Sequence, residues 1–185
     1  MVEPESDTDL VRRARAGDHT AFTTLVREQD HKMRGLAYQL LGSRSQMDDA
    51  LQDAYLKAYV GLSSFRSESA FGTWLYRIVY TTCIDHIRRR DRRREVGLHV
   101  VPDQPDVLET AEVVERHDEV RNALDSLTPD HRAALLLVDR EGLSYDEVAH
   151  VMDITPGTVA SRLSRARTAF KAALNPNSPT PETNR

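Results

Sequence analysis

Apolar residues recur at helical spacing along most of this chain. In the first half the spacing predicts four helices: Asp7 to Ala16, a longer helix that ends near Leu41, about Ser45 to Leu62, and about Ala70 to Arg90. Gly42 follows the second of these, at the position where glycine commonly ends a helix. No stretch shows the two-residue alternation and hairpin turns of exposed strands. The pattern therefore predicts an all-α fold.

The helical repeat is lost in the middle of the chain. Residues 95–115, EVGLHVVPDQPDVLETAEVVE, contain two prolines and one glycine, and their first half has no helical period. This composition is typical of a segment that links two modules. Helical spacing resumes at Val120 and continues to Leu127, and Thr128-Pro129 then opens another helix.

A helix-turn-helix is predicted between Gly142 and Lys171. Ser144 begins its first helix and has Glu147 three residues on, which is the spacing of a capping box. Thr155 and Pro156 provide the hydroxyl and the proline that start the second helix. Each helix carries its apolar residues on one side: Tyr145, Val148, Ala149 and Met152 in the first, and Val159, Leu163, Ala166 and Phe170 in the second. Two short amphipathic helices in this order form the motif.

The second helix of this motif is basic on its outer face, and no acid lies between Thr155 and Lys171. Such a helix fits the major groove of DNA, where arginine donates to guanine edges and to phosphates. The alternative is an ordinary helical hairpin with a solvated basic face. We expect an all-α fold of two small helical domains joined by a flexible linker, the C-terminal one a helix-turn-helix. The expected bounds are 1–95 and 116–174 for the domains, 96–115 for the linker and 175–185 for a disordered tail.

Charge is distributed unevenly, although the net charge is only −4. Six arginines and one aspartate occupy Arg88–Arg94, which is more than a helix C-terminus needs and favours contact with phosphates. Eight acids and one arginine occupy Glu95–Glu119. The positions of the basic patches decide whether nucleic acid can bind, whereas the sum does not. We expect the acidic segment to keep the free protein off random DNA.

The sequence gives no support for catalysis or metal binding. Its seven histidines are scattered, and it has no His-x-x-x-His pair, Cys-x-x-Cys pair, glycine-rich phosphate loop or serine elbow. Cys83 is the single cysteine, which excludes an internal disulfide and fits a reducing cytosol. No run of about 20 apolar residues is present, and the acidic start lacks the order of a secretory signal. We expect a cytoplasmic, non-enzymatic protein with no cofactor, no metal and no membrane contact of its own.

Three blocks of the sequence, in order, resemble the small two-domain sigma factors of bacterial RNA polymerase called the extracytoplasmic-function (ECF) group. That family's core-polymerase-binding helix is similar to DDALQDAYLKAYVGLSSF. Its promoter-opening segment is similar to FRSESAFGTWLYRIVYTTCIDHIRRRDRR, and its promoter-reading domain to LDSLTPDHRAALLLVDREGLSYDEVAHVMDITPGTVASRLSRAR. One helix-turn-helix is weakly specific, whereas three blocks at the family's spacing are a strong match. The resemblance implies a sigma factor that directs core polymerase to promoters and starts transcription without nucleotide hydrolysis.

The resemblance implies three partners. They are promoter DNA, an anti-sigma factor, and RNA polymerase core, bound through the clamp helices of its largest catalytic subunit and the flap of its beta subunit. The residues expected to contact polymerase share one helix and are Asp48, Asp49, Gln52, Asp53, Tyr55 and Lys57. Charged groups at such an interface mainly set register and specificity. On local evidence alone, acids in the first turns of a helix equally stabilise its dipole.

The resemblance also implies that the segment from Phe65 onwards holds the downstream promoter element as single-stranded DNA. This task needs a pocket for a flipped base, aromatic stacking surfaces and cationic contacts to the backbone. The candidate residues are Phe65, Arg66, Phe71, Trp74, Arg77, Tyr80, Thr81, Asp85, Arg88 and Arg89. For Trp74 a position in the core is the favoured alternative, because its neighbours are apolar.

The upstream promoter element is expected to be read by the second helix of the helix-turn-helix. The candidate residues there are Thr158, Ala160, Ser161, Arg162, Ser164, Arg165 and Arg167. Two positions depart from many relatives, which carry asparagine in place of Thr81 and arginine or lysine in place of Ala160. Both differences bear on which promoter sequence is read.

Two other functions fit parts of the sequence. A stand-alone helix-turn-helix regulator would bind duplex DNA unaided, but it leaves residues 45–94 without a role. An interaction-only adaptor would hold polymerase through the acidic helix without reading DNA. Specific binding of duplex promoter by the free protein would favour the regulator, and promoter-specific transcripts would exclude the adaptor.

Overall fold

The computed structural model describes residues 6–65, 69–95 and 119–175, and all regular structure within them is helical. The eight α-helices of the described residues are α1 Asp7–Arg15, α2 His19–Leu41, α3 Arg44–Gly61, α4 Phe71–Glu95, α5 residues 119–125, α6 Pro129–Leu135, α7 Tyr145–Met152 and α8 Pro156–Leu174. A 3₁₀ turn at Leu62–Ser64 follows α3, and a π-helical turn at Leu136–Arg140 continues α6. The all-α prediction is confirmed. The predicted linker and all but Asn175 of the tail lie outside the described residues.

Polar side chains cap the starts of the helices, and Gly42 ends α2. Asp18 accepts from the backbone nitrogen of Thr20 at 2.9 Å at the start of α2, and Gly42, with φ 73°, ends that helix in the left-handed region. At the start of α7 the backbone nitrogen of Ser144 donates to Glu147 at 2.9 Å, and the backbone nitrogen of Glu147 donates to the Ser144 hydroxyl at 3.3 Å. These bonds from Ser144 hold the pKa of the Glu147 carboxyl below its ordinary value. The predicted capping box is present.

Helix α4 extends further than the apolar pattern predicted. The pattern ended near Arg90, whereas the helix continues through the arginine run to Glu95. Arginine has a high helix propensity, and cations are favourable near a helix C-terminus. The last turns therefore remain helical without an apolar face.

The helix-turn-helix closes around a left-handed residue. Asp153 ends α7 with φ 58° and ψ 50°, a conformation that aspartate tolerates better than most residues. The apolar sides of α7 and α8 then meet, and they bury Val148 and Met152 against Val159 and Leu163. Tyr145 does not join them: it is exposed, contrary to its place in the predicted stripe, because it stands at the first residue of the helix and beyond the packed turns.

The N-terminal helices α1–α4 and the C-terminal helices α5–α8 are in contact with each other. Their buried apolar side chains belong to one continuous cluster, in which α4 lies against α7 and α2 against α6. Arg132 of α6 donates to the carbonyl oxygen of Gln39 at 3.0 Å, and Arg121 of α5 donates to that of Gly42 at 2.9 Å. The sequence predicted two helical units and left their relative arrangement open. We call them the N-terminal unit and the C-terminal unit.

Truncation of Leu75 is expected to destabilise the chain strongly. Its side chain is fully buried in α4, so Leu75→Ala removes packed methyl groups and leaves a cavity. We expect the free energy of unfolding to fall by about 2–5 kcal/mol, measured by urea denaturation followed by helical circular dichroism. Leu56→Ala, a matched truncation at an exposed position, is expected to change it by less than about 0.5 kcal/mol. Equal losses from both variants would contradict the position of Leu75 in the core.

Candidate nucleic-acid and protein interfaces

The outer face of α3 combines acids with exposed apolar side chains. Asp49, Gln52 and Asp53 are exposed along it. Leu56 and Val60 continue the same face and are 59% and 78% exposed, since residues three and four apart lie on one side of a helix. We call these five residues the α3 outer face. Exposed apolar side chains that are bordered by polar ones mark surfaces where proteins bind.

The α3 outer face contains two residues that the sequence prediction missed. Leu56 and Val60 are apolar, and an apolar residue in an amphipathic helix is assigned to the core by default. The sequence did contain a signal for them, which was the spacing from the polar residues Gln52 and Asp53. Leu56 lies one helical turn further along the same side of the helix, and Val60 lies two turns further along.

Two residues predicted to contact polymerase form hydrogen bonds with α2. Asp48 accepts from Arg34 at 2.8 Å, although its carboxylate remains exposed. The Tyr55 hydroxyl donates to Asp30 at 2.8 Å. Burial, and then this bond, raise the pKa of Tyr55 well above its ordinary value. Tyr55 therefore fixes α3 against α2 and offers little surface to a partner.

Lys57 and Asp53 connect α3 to α4. The ammonium of Lys57 donates to the Thr82 hydroxyl at 3.1 Å, and Nε2 of His86 lies 3.1 Å from the Asp53 carboxylate. Thr82 is buried, so the hydrogen bond of Lys57 is made to a buried side chain of α4. These contacts hold the α3 outer face in a fixed orientation to α4.

Three aromatic rings pack together where α4 begins. The Phe65 centroid lies 5.0 Å from that of Trp74 and 6.2 Å from that of Phe71, and the Phe71 and Trp74 centroids are 5.6 Å apart. Phe65 and Phe71 are buried, whereas Trp74 is half-buried. In this arrangement only Trp74 retains open ring surface for stacking, and the other two rings support it. Arg66 lies outside the described residues.

The remaining downstream candidates divide between two sides of α4. Thr81, Arg88 and Arg89 are exposed and Asp85 is half-buried; their spacing places them on one accessible side, which we call the α4 outer side. The Thr81 hydroxyl donates to the Arg77 carbonyl at 2.7 Å, so its oxygen can still accept a bond from outside.

Tyr80 lies on another side of α4, and both Tyr80 and Arg77 form contacts with the C-terminal unit. Tyr80 is 7% exposed, and its hydroxyl donates to Asp130 at 3.1 Å. Burial, followed by the negative charge of Asp130, raises the pKa of Tyr80 well above its ordinary value. Arg77 pairs with Asp153 at 3.3 Å. Tyr80 therefore does not face open solvent, whereas the Arg77 side chain is 38% exposed beside Asp153.

The outer face of α8 is accessible. Ala160, Ser161, Ser164 and Arg165 are exposed and share one side of the helix. Thr158, at the first turn, is half-buried, and its hydroxyl lies 2.9 Å from that of Thr155. We call the four exposed residues the α8 outer face. It presents two hydroxyls and a guanidinium at the spacing of adjacent helical turns.

Two basic residues beside the α8 outer face are paired with acids of the same unit. Arg162 lies 3.1 Å from Asp130, and Nε of Arg167 donates to Asp139 at 3.0 Å. The bond to Asp139 raises the pKa of Arg167 above its ordinary value. Either guanidinium would exchange an acid for a phosphate on binding DNA.

Other chemistry is sparse in the part of the chain that the structure describes. No group of three His, Cys, Asp or Glu side chains there could hold a metal ion. No helix in the same residues has the length and apolar character to cross a membrane. Cys83 is fully buried, and burial raises the pKa of its thiol to about 12.

Known families match both helical units. The Sigma-70 region 2 family matches residues 25–93, and the Sigma-70, region 4 family matches residues 117–170. The RNA polymerase sigma-H factor of Pseudomonas aeruginosa is 38% identical, over 95% of this chain and 97% of its own length. The ECF RNA polymerase sigma-E factor of Escherichia coli K12 is 36% identical, over 95% of this chain and 98% of its own. These matches define a DNA-binding transcription initiation factor built from sigma regions 2 and 4. Within that class, the chain belongs to the ECF sigma factors of bacterial RNA polymerase.

Solved structures share the fold. The sigma factor RpoE in complex with the anti-sigma factor NepR, from Bartonella quintana, superposes with a TM-score of 0.73 at 25% identity, over 85% of this chain and 98% of that one. CnrH in complex with the cytosolic domain of CnrY gives a TM-score of 0.73 at 25% identity, over 94% of this chain and 100% of that one. The family assignment made from the three sequence blocks is confirmed. The roles of individual residues stay predictions.

Proposed function

We propose that this sigma factor binds core polymerase through the α3 outer face and reads promoters with two separate surfaces, the α4 outer side and the α8 outer face. The observation that supports this most directly is the exposure of Leu56 and Val60 beside Asp49, Gln52 and Asp53. A solvated helix has no need of two large exposed apolar side chains on its acidic side. A protein partner that covers them gives them a role.

Polymerase would gain affinity from the apolar part of this surface and specificity from the acidic part. Burial of an exposed leucine or valine side chain contributes roughly 1.5–3 kcal/mol. The carboxylates Asp49 and Asp53 steer the approach of a basic partner surface and set the register. The partner expected is the pair of clamp helices in the largest catalytic subunit, and the C-terminal unit is expected to contact the flap of the beta subunit.

Promoter opening would rest on the capture of unpaired bases. The sequence has no phosphate-binding loop that could couple melting to nucleotide hydrolysis. Trp74 keeps part of its ring accessible, and stacking of a base on such a ring contributes roughly 1–3 kcal/mol. Arg88 and Arg89, on the α4 outer side, supply cations for the phosphate backbone. Arg66 remains a candidate of the same kind from the sequence.

Reading of the upstream element would rest on the α8 outer face. Arg165 would enter the major groove, and the exposed Ser161 and Ser164 would flank it with hydroxyls. A good bidentate contact to a base discriminates by roughly 1–3 kcal/mol. Ala160 offers only a methyl group, which suits contact with a thymine methyl.

We also propose control by an anti-sigma factor, in the cytoplasm and without enzymatic activity of the sigma factor itself. Two structures that resemble this chain contain an anti-sigma factor or the cytosolic domain of a partner protein. An inhibitor that covers the α3 outer face would compete directly with polymerase for the same apolar side chains.

Reconstituted transcription tests the proposed function. Core polymerase with this protein is expected to give discrete run-off transcripts from genomic fragments, and core alone is not. In electrophoretic shifts, duplex promoter DNA is expected to bind only when core and protein are both present. Tight, specific binding by the free protein would favour a stand-alone regulator. Association with core without specific transcripts would favour an adaptor.

A further inference from the structure

The accessible residues of α4 change in chemical character along the helix. Trp74 and Ile78 are half-buried in its first turns. The α4 outer side continues from them, first with Thr81 and Asp85 and then with its two arginines. Steps of three and four residues place all of these side chains on one side of the helix. A DNA strand that lies along this side would meet apolar surface, then oxygen atoms, then cations.

The Thr81 hydroxyl presents only an acceptor to a ligand. It donates to the carbonyl oxygen of Arg77 at 2.7 Å, a bond that threonine commonly makes to the preceding turn of its own helix. A hydroxyl has one hydrogen and two lone pairs, so the hydrogen is used within the helix and the lone pairs stay available. Thr81 is exposed. A group that binds this hydroxyl must therefore be a donor.

Asp85 is a second acceptor, one turn further along α4. It is the single acid between Trp74 and Arg89. Within the residues that the structure describes, its carboxylate forms no ion pair and no hydrogen bond, although Arg88 and Arg89 follow it closely. It also lies in the middle of α4, too far from the first turn to stabilise the helix dipole. A negative charge on a side that faces phosphates opposes binding, so this acid calls for a role in recognition.

The spacing of the two acceptors suits one amino group. Side chains four residues apart on a helix have Cβ atoms about 5–6 Å apart. The two hydrogens of an amino group diverge, so acceptors at ordinary hydrogen-bond distance lie about 5 Å from each other. Cytosine and adenine carry an amino group where thymine and guanine carry a carbonyl oxygen. In place of the amino group, that oxygen would meet two acceptors with no hydrogen between them.

We propose that Thr81 and Asp85 together select an unpaired base that carries an amino group, cytosine or adenine, and reject the keto bases guanine and thymine. The inference rests on the proposed function, because it takes from it that the α4 outer side meets single-stranded DNA. Ile78, one turn before Thr81, offers the base ring an apolar neighbour. The arginines further along hold the phosphate backbone whatever the base is.

Binding of the holoenzyme to promoter DNA with a preformed bubble tests the selection. The promoter is one found by run-off transcription, and each bubble position is changed in turn to all four bases. A preformed bubble removes the cost of melting, so fluorescence anisotropy reports the contact with the base. At one position, cytosine and adenine are expected to bind roughly tenfold or more tightly than guanine and thymine. Unsubstituted purine, which differs from adenine only by lacking the amino group, is expected to lose the same factor.

Substitutions in the full chain connect this preference to the two residues. Asp85→Asn keeps the shape of the side chain and adds a donor, so the preference is expected to shrink to about threefold or less. Thr81→Val removes the lone pairs and is expected to weaken the preference, whereas Thr81→Ser keeps the hydroxyl and restores it. Arg89→Gln is the matched control. It is expected to weaken binding to all four bases alike, with an unchanged preference and a smaller salt dependence.

The outcomes separate this inference from the proposed function. An unchanged preference in Asp85→Asn and Thr81→Val, even with weaker binding overall, would overturn the inference, and promoter-specific transcripts would still uphold the proposed function. Guanine bound as tightly as cytosine and adenine would also overturn it. Failure of core with the wild-type chain to bind any bubble would remove both. Unaltered helical circular dichroism in the variants shows that a lost preference does not come from misfolding.

Discussion

Leu56→Asp is expected to weaken binding to core polymerase by roughly 100-fold. The substitution removes an apolar side chain from the centre of the α3 outer face and places a charge where the partner would bury it. Burial of a leucine alone accounts for roughly 1.5–3 kcal/mol, and tenfold in affinity corresponds to about 1.4 kcal/mol. Because Leu56 is 59% exposed in the free chain, the fold itself is expected to remain intact.

The measurement is fluorescence anisotropy of the labelled sigma factor titrated with core, together with thermal unfolding of the free protein. Val120→Asp is the matched control: Val120 is a partly exposed apolar residue on α5, and the same change there is expected to shift affinity by less than about threefold. Wild-type affinity in Leu56→Asp would show that polymerase does not cover this face.

Arg165→Glu is expected to reduce promoter-specific transcripts by roughly 100-fold and to leave binding to core unchanged. The variant loses a guanidinium that reaches base edges, worth roughly 1–3 kcal/mol. It also brings a carboxylate toward the DNA phosphates. The change is fully at the surface, since Arg165 is exposed.

Run-off transcription on one defined promoter, at a fixed salt concentration, measures the effect. Lys171→Glu reverses the same charge further along α8, beyond the α8 outer face. That variant is expected to lose only the modest, sequence-independent part of the affinity, and its loss is expected to shrink at high salt. Equal losses from both variants would mean that α8 contributes charge without base contacts.

The helices and their ends followed from local chemistry. Two helix starts each depend on residues no more than four positions apart, so the sequence alone predicts them: Ser144 with Glu147, and Thr155 with Pro156. Both are present in the structure. The helical period of the apolar residues depends only on the chain's own repeat. The extension of α4 to Glu95 was missed because no apolar residue marks its last turn.

The candidate sites were less accessible to sequence reasoning, because they depend on contacts between distant segments. Tyr80 and Asp130 are 50 residues apart, and no local pattern shows that the second covers the first. Leu56 was missed for the opposite reason: a lone apolar residue is read as core until the packing of α2 and α4 shows which side of α3 is free. Trp74 fits both a core position and a DNA contact, because it packs on Phe65 and Phe71 and keeps part of its ring exposed.

The contacts at the end of α2 have a consequence for exchanging parts between related proteins. Arg121 and Arg132 bind backbone oxygens of Gly42 and Gln39, which every relative possesses whatever its side chains. Tyr76 and Tyr80 of α4, in contrast, donate to the side chains of Glu141 and Asp130, so these contacts need an acid at each matching position. A chimera that joins this first unit to a relative's second unit would keep its compatibility at α2 if the arginines are present, and would lose it at α4 wherever the acids differ. Such a chimera would keep two folded units but lose the fixed arrangement of one against the other at α4.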